Sequence, residues 1–231
     1  MTIVPPPETY DETGLEAVIK VGVTVTDNKY PVGPIHVYHP DSVGSASWFS
    51  SVITRPDSFS NLEEVELDSD DIAWISASDD KRFAGGSRST NYYPAVMTQF
   101  TVTEPRDKIY RLVASAEGWG IAEEAGPLYE FYCYLYNFHT SAWEEIGHHS
   151  GSSDTVVNSG TSNIKDYIDL ATGYVYLVAY GPANTPSGDT FVYVDELKLE
   201  IQWYQPETLV TTIKVEVTGT DVTTYPAEDL T

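Results

Sequence analysis

Apolar and polar residues alternate in short bursts along this chain. Ile19, Val21, Val23 and Val25 share one register, and Lys20, Thr24 and Thr26 fill the other. Val96, Thr98, Phe100 and Val102 repeat the pattern. A period of two places such residues on opposite faces of a half-buried strand. Strand-like stretches are also expected at 71–77, 109–116, 128–136, 142–146, 174–180 and 190–201. Ile164, Tyr167 and Ile168 are spaced by three and four, which predicts one short helix within 162–170. Glycine and proline punctuate the intervals, at Gly118, Gly126-Pro127, Gly151, Gly173, Gly181-Pro182 and Gly188. Short strands with regular turn signals indicate an all-β chain, a jelly-roll β-sandwich. Residues 31–62, punctuated by Pro31, Gly33, Pro34, Pro40, Gly44 and Pro56, are expected to be loop-rich.

The two ends carry a repeat. Residues 19–27 and 213–221 are identical at seven of nine positions. Ile213, Val215 and Val217 alternate with Lys214, Glu216 and Thr218 as in the first copy. The chain therefore divides into an N-terminal strand arm (1–40), a sandwich (41–203) and a C-terminal strand segment (204–231). The copies are either two similar edge strands of one fold or docking strands for neighbouring subunits. A docking strand adds to an exposed sheet edge through main-chain hydrogen bonds. Ile19, Val21, Val23, Ile213, Val215 and Val217 are the candidate assembly residues.

Residues 70–203 carry Leu135-Tyr136-Asn137-Phe138, Ser141-Ala142-Trp143-Glu144, Ser152-Ser153-Asp154-Thr155 and Tyr193-Val194-Asp195-Glu196-Leu197. This succession resembles galactose-binding-like jelly-roll modules of archaeal virus, bacteriophage and cell-surface proteins. Trp74 to Arg82 is similar to the opening of the same module. The resemblance implies a sandwich acting as a structural or binding module. Fold alone does not fix function.

Composition narrows the partners. With 12 Lys and Arg against 35 Asp and Glu, the net charge is −23. Phosphate-backbone binding needs clustered cations, so nucleic acid is excluded as an expected partner. No apolar stretch reaches the ~20 residues of a membrane-spanning helix. Cys133 has no partner for a disulfide and sits in an aromatic run, which predicts a buried thiol. A sequence opening Met-Thr-Ile-Val-Pro-Pro-Pro lacks a signal-peptide core, which suits a virion component more than a secreted one.

Motifs for catalysis are weak. His148 and His149 would point to opposite faces of a strand and chelate poorly. Glu63-Glu64, Glu123-Glu124 and Glu144-Glu145 are adjacent pairs with no sign of the spacing a glycosidase needs. No nucleophile elbow or phosphate loop occurs. Asp79, Asp80 and Asp195 are candidate oxygen ligands for a structural calcium. Trp48, Tyr92, Tyr93, Trp119 and Tyr180 lie in or beside loops and are candidate sugar-stacking aromatics. Tyr132, Tyr134 and Tyr136 share one face of a strand whose other face carries Phe131, Cys133 and Leu135, so that strand is expected to be buried twice, its second face under a neighbour. The expectation is a non-catalytic virion protein (capsid decoration, neck or tail) that assembles with its own copies or neighbouring particle proteins. The alternatives are a receptor- or carbohydrate-binding module and a subunit of an extracellular filament or surface layer.

Overall fold

The structure is a computed structural model, and it describes residues 18–21, 32–87, 89–123, 126–160, 164–184, 188–204 and 215–218. The elements in chain order are β1 (Val18–Val21), β2 (Val32–Tyr38), β3 (Ala46–Val52), α1 (Phe59–Leu62), β4 (Val65–Glu66), α2 (Ser69–Trp74), β5 (Phe83–Ser87) and β6 (Tyr93–Thr101). They continue with β7 (Ile109–Ala122), β8 (Leu128–Tyr129), β9 (Phe131–Asn137), β10 (Ala142–His149), β11 (Thr155–Gly160), β12 (Tyr174–Tyr180), β13 (Thr190–Tyr204) and β14 (Val215–Thr218). The fold is all-β, with short helical pieces only.

Two compact units emerge. One comprises 30–206 and is the sandwich; the other comprises 1–29 with 207–231. In the sandwich, a front sheet has strand order β10-β9-β12-β6-β3-β4. A back sheet has order β11-β7-β13-β2, with β5 also on β13 and β8 on β7. All pairings are antiparallel. In the second unit the described residues are β1 and β14, which pair with one another.

Alternation explains the core. Val96 and Phe100 of β6, Phe131, Cys133 and Leu135 of β9, and Val175, Leu177 and Ala179 of β12 point into the sandwich. They meet Leu112, Ala114 and Ala116 of β7 and Val192, Val194, Leu197, Leu199 and Ile201 of β13. Burying each large aliphatic or aromatic side chain contributes roughly 1.5–3 kcal/mol. Cys133 is fully buried, and burial pushes its thiol pKa far above the ordinary range. Gly85 lets β5 approach the core closely: a Cβ there would lie 2.2 Å from the Phe49 ring.

The structure departs from the sequence expectations in four places. Residues 31–62 contain β2, β3 and α1, not continuous loop. Serines hide β3, because Ser47 is buried and its hydroxyl pairs with Thr98 at 2.8 Å. Residues 69–74 form a helix where a strand was expected, since Asp68 caps the N–H groups of Asp70 and Asp71 at 2.9 and 3.0 Å. The helix expected within 162–170 is a single 3-10 turn at Ile164–Asp166, with Ile164 and Ile168 anchored in the core. The β2 strand joins the sandwich by pairing with β13, so the compact unit begins at 30, upstream of the expected boundary at 41.

Candidate functional site

The outer face of the front sheet is unusually aromatic. Trp48, Tyr93, Tyr132, Tyr134, Trp143, Tyr176 and Tyr180 gather there with Val52, Ala95, Met97 and Val178. The cover comes from the chain itself. The segment from β3 to β4 crosses this face and drops Leu62 and Phe59 into the cluster. Phe59 packs against Tyr136, Trp143 and Tyr176 at ring separations of 4.5, 5.3 and 4.5 Å. The Arg55 guanidinium lies 3.4 Å from the centre of the Tyr132 ring. The second burial of β9 is therefore intramolecular, not under a neighbour.

Hydrogen bonds fix this crossing segment. The Trp143 indole N–H donates to the Asp57 carbonyl at 2.9 Å. The Asp57 N–H donates to the Tyr180 hydroxyl at 3.2 Å. The Asp57 carboxylate accepts from the Ser58 N–H at 2.7 Å and from the Asn61 amide at 3.0 Å. Burial raises the Asp57 pKa, but hydrogen bonds from Ser58, Asn61 and Thr54 outweigh it and hold the group below its ordinary value.

Beside this segment opens a pocket of about 330 Å³ lined by Ser51, Val52, Ile53, Asp57, Ser60, Asn61, Glu64 and Tyr92. Its walls are set in place. The Glu64 carboxylate accepts from the Ser51 N–H at 3.1 Å, and the Ser51 hydroxyl donates to Ser87 at 2.7 Å. Tyr92 is held by a two-way backbone exchange: its carbonyl accepts from Asn184 N–H at 2.8 Å, while Asn91 N–H donates to the Asn184 carbonyl at 2.7 Å. The lining thus combines hydroxyls, an amide, two carboxylates and one aromatic ring.

The five aromatics singled out in the sequence do not form one site. Tyr92 lines the pocket. Tyr180 is fully buried with its hydroxyl bound to Asp57, so its ring offers no face to a ligand. Trp48 and Tyr93 pack into the covered aromatic cluster. Trp119 is on the back sheet, stacked on Tyr193 with centroids 4.4 Å apart and planes at 12°. Sequence reading missed Ser51, Asp57, Ser60 and Asn61, which fall in a stretch taken for loop and match no motif.

A second cluster joins acidic residues from three distant segments. Carboxylate oxygens of Asp80, Asp154 and Asp195 lie within 4.8 Å of one another. Asp80 occupies a left-handed turn at φ 63° before β5, Asp154 immediately precedes β11, and Asp195 sits at a bulge in β13. Asp195 is 2% exposed. One oxygen each of Asp154 and Asp195 is buried with no hydrogen-bond partner. The Arg82 guanidinium pairs with Asp154 and reaches Asp80 at 3.4 Å. Asp79 is not part of the cluster: its carboxylate is engaged by the Lys81 backbone N–H at 3.1 Å and the Lys81 ammonium at 2.8 Å. Asp154 stands in the place expected for Asp79.

Of the six candidate assembly residues, Val23 and Ile213 lie outside the described residues. The others belong to β1 and β14, where Ile19 stands opposite Val217 and Val21 opposite Val215. Val21 and Val215 are equivalent positions of the repeat, so the copies pair symmetrically about them, and the edge each strand gives the other is used within the chain.

Residues 44–203 match the family described as "AF_1625_C: Uncharacterized protein, C-terminal domain", and the chain belongs to it. No curated protein matches. Among solved structures, a "xylan-binding module CBM15" is similar at 10% identity and a TM-score of 0.27, covering 54% of this chain and 92% of that one. "TmCBM61 in complex with beta-1,4-galactotriose" is similar at 12% identity and a TM-score of 0.28, covering 74% and 89%. The fold assignment rests on the chain's own strand pairing.

Proposed function

We propose that the sandwich is a non-catalytic glycan-binding module whose ligand enters the pocket beside Tyr92. The observation that carries this reading is the lining itself. Sugars present vicinal hydroxyls and an apolar ring face. Ser51, Ser60, Asn61 and Glu64 offer donors and acceptors for the first, and Tyr92 offers an aromatic surface for the second. Most of the lining side chains are polar, which suits a solvated polar ligand better than an apolar one. Its walls are already tied by the bonds of Asp57, Ser51 and Asn184, so little ordering cost falls on binding.

The non-catalytic part of the reading draws on the carboxylates. A glycosidase requires one carboxylic acid with a raised pKa to protonate the leaving oxygen. Asp57 is shifted the opposite way and is committed to Ser58 and Asn61.

A glycan array followed by titration calorimetry tests this. Binding to at least one oligosaccharide is expected, with Tyr92→Ala and Asn61→Ala each weakening it about tenfold, the equivalent of ~1.4 kcal/mol. Trp119→Ala, on the other sheet, is expected to leave it unchanged. The absence of any glycan ligand, or affinity indifferent to Tyr92, would sink the proposal.

A further inference from the structure

The pocket beside Tyr92 carries charge of one sign. Asp57 and Glu64 both line it, and among the described lining residues none is basic. Arg55, two residues before Asp57, is engaged outside it. Its guanidinium lies 3.4 Å from the centre of the Tyr132 ring and 5.1 Å from that of Tyr93, and it pairs with Glu130 at 3.6 Å. Asp57 stays ionised at neutral pH, because hydrogen bonds hold its pKa below the ordinary value.

Hydrogen-bond accounting points the same way. An ionised carboxylate accepts and does not donate. Several of the pocket's donors are already used within its wall. The Ser51 N–H goes to Glu64 at 3.1 Å, the Ser51 hydroxyl to Ser87 at 2.7 Å and the Asn61 amide to Asp57 at 3.0 Å. Glu64 is exposed, and the Ser51 bond occupies one of its two oxygens. The wall therefore offers a ligand more acceptors than donors, and the strongest acceptors are negative.

Resting on the glycan reading above, we infer that the pocket selects sugars bearing a free, protonated amine, which the Glu64 carboxylate receives in the field of Asp57. An ammonium brings three donors and no acceptor, which matches what the wall lacks. Its bond to a carboxylate is about twice as strong as a bond between neutral groups. A hydroxyl in the same place donates one hydrogen without charge. N-acetylation removes the ammonium, and a uronate or sulfate brings like charge to the two carboxylates. Asp57 is committed to Ser58 and Asn61, so it acts through its charge, while Glu64 makes the contact. The chain as a whole carries −23 and attracts any cation, but salt screens that general field over about 8 Å at physiological strength. Selection by the pocket therefore depends on Glu64 and not on distant carboxylates.

A glycan array with matched oligomers tests this, using glucose, glucosamine, N-acetylglucosamine and glucuronate and their galacto counterparts. Calorimetry of the full chain at physiological salt follows for each series that binds. The free-amine member is expected to bind about tenfold more tightly than the neutral one, and the uronate more weakly than either. Glu64→Gln keeps an oxygen for the Ser51 N–H but loses the charge, and is expected to reduce the amine-to-neutral ratio to about twofold or less. Asp41→Asn removes an exposed carboxylate outside the pocket and is expected to leave the ratio as it is. A neutral or acidic member that binds as tightly as the amine overturns the inference and leaves the glycan reading standing. So does a ratio that survives Glu64→Gln, or one that falls equally with Asp41→Asn. Binding by no glycan on the array removes the glycan reading, and this inference with it.

Discussion

The two sheets present aromatic rings on their outer faces in opposite ways. On the front sheet the rings are roofed by the chain between β3 and β4, and they form a second core with Leu62 at its centre. On the back sheet they stand uncovered. Tyr129, Trp119, Tyr193 and Phe191 form a row in which neighbouring centroids are 6.1, 4.4 and 6.1 Å apart, all partly exposed. Trp119 and Tyr193 are a directly opposed cross-strand pair. Phe191 lies over Gly86, where a Cβ would come within 2.7 Å of its ring. The back row is ring against ring and ring over backbone, which stabilises strand pairing. The front cluster is ring against roof, and the edge of that roof makes the pocket. Abundant tyrosine thus marks two different jobs, and what covers the rings distinguishes them.

Truncating the centre of the roofed face should produce the largest effect. Leu62 is fully buried on the outer side of the front sheet, and Leu62→Ala is expected to cost about 2–5 kcal/mol. Trp119→Ala on the open row is expected to cost only about 0.5–1.5 kcal/mol. Urea midpoints of the two variants measure the difference. Equal losses would mean that the roof contributes no more than a surface ladder, and the contrast between the faces would collapse.

Trp143→Phe sharpens the comparison at a smaller scale. It keeps a ring against Phe59 but removes the indole bond to the Asp57 carbonyl. The expected stability loss is about 1 kcal/mol. Because Asp57 also lines the pocket, glycan affinity should fall with it, about 3- to 10-fold by calorimetry, although Trp143 does not line the pocket. Unchanged affinity would show that the pocket does not depend on the roof's anchoring.

The fold was legible where alternation is uninterrupted. The β12 strand runs over Tyr174–Tyr180 as expected, β13 extends the expected stretch by three residues, and β6 begins three residues before Val96 and ends short of Val102. It was illegible where polar side chains satisfy one another inside the sandwich. Ser47 and Thr98 do this, and β3 consequently looked like loop. Residues 71–74 read as the start of a strand, yet they lie in a helix that Asp68 caps. The candidate sites were legible only in fragments. Tyr92, Asp80 and Asp195 stand out in the sequence, but their partners are set by tertiary contacts. Asp154 lies 74 residues from Asp80, and Lys81 draws Asp79 away.

The smallest expected effect is electrostatic and concerns the roof's hinge with the pocket, Asp57. Its carboxyl pKa is lowered in the folded chain, because hydrogen bonds from Ser58, Asn61 and Thr54 outweigh the opposing effect of burial. On acidification the unfolded chain takes up this proton first, near the ordinary aspartate value of about 3.9. The stabilisation is therefore complete above that value and is lost as pH falls through the lower folded pKa. Asp57 is partly exposed, so screening keeps the contribution below about 1 kcal/mol. Asp57→Asn retains an oxygen acceptor for Ser58 and Asn61 but cannot titrate. Between pH 6 and pH 3 its stability should fall slightly less than that of the parent chain, read as the difference in urea midpoints. The back-sheet row of Tyr129, Trp119, Tyr193 and Phe191 contains no carboxylate, so Trp119→Ala should follow the parent's acid profile in shape. A parent profile no steeper than that of Asp57→Asn would show that the Asp57 charge adds nothing to what the rings and backbone bonds of the roof supply.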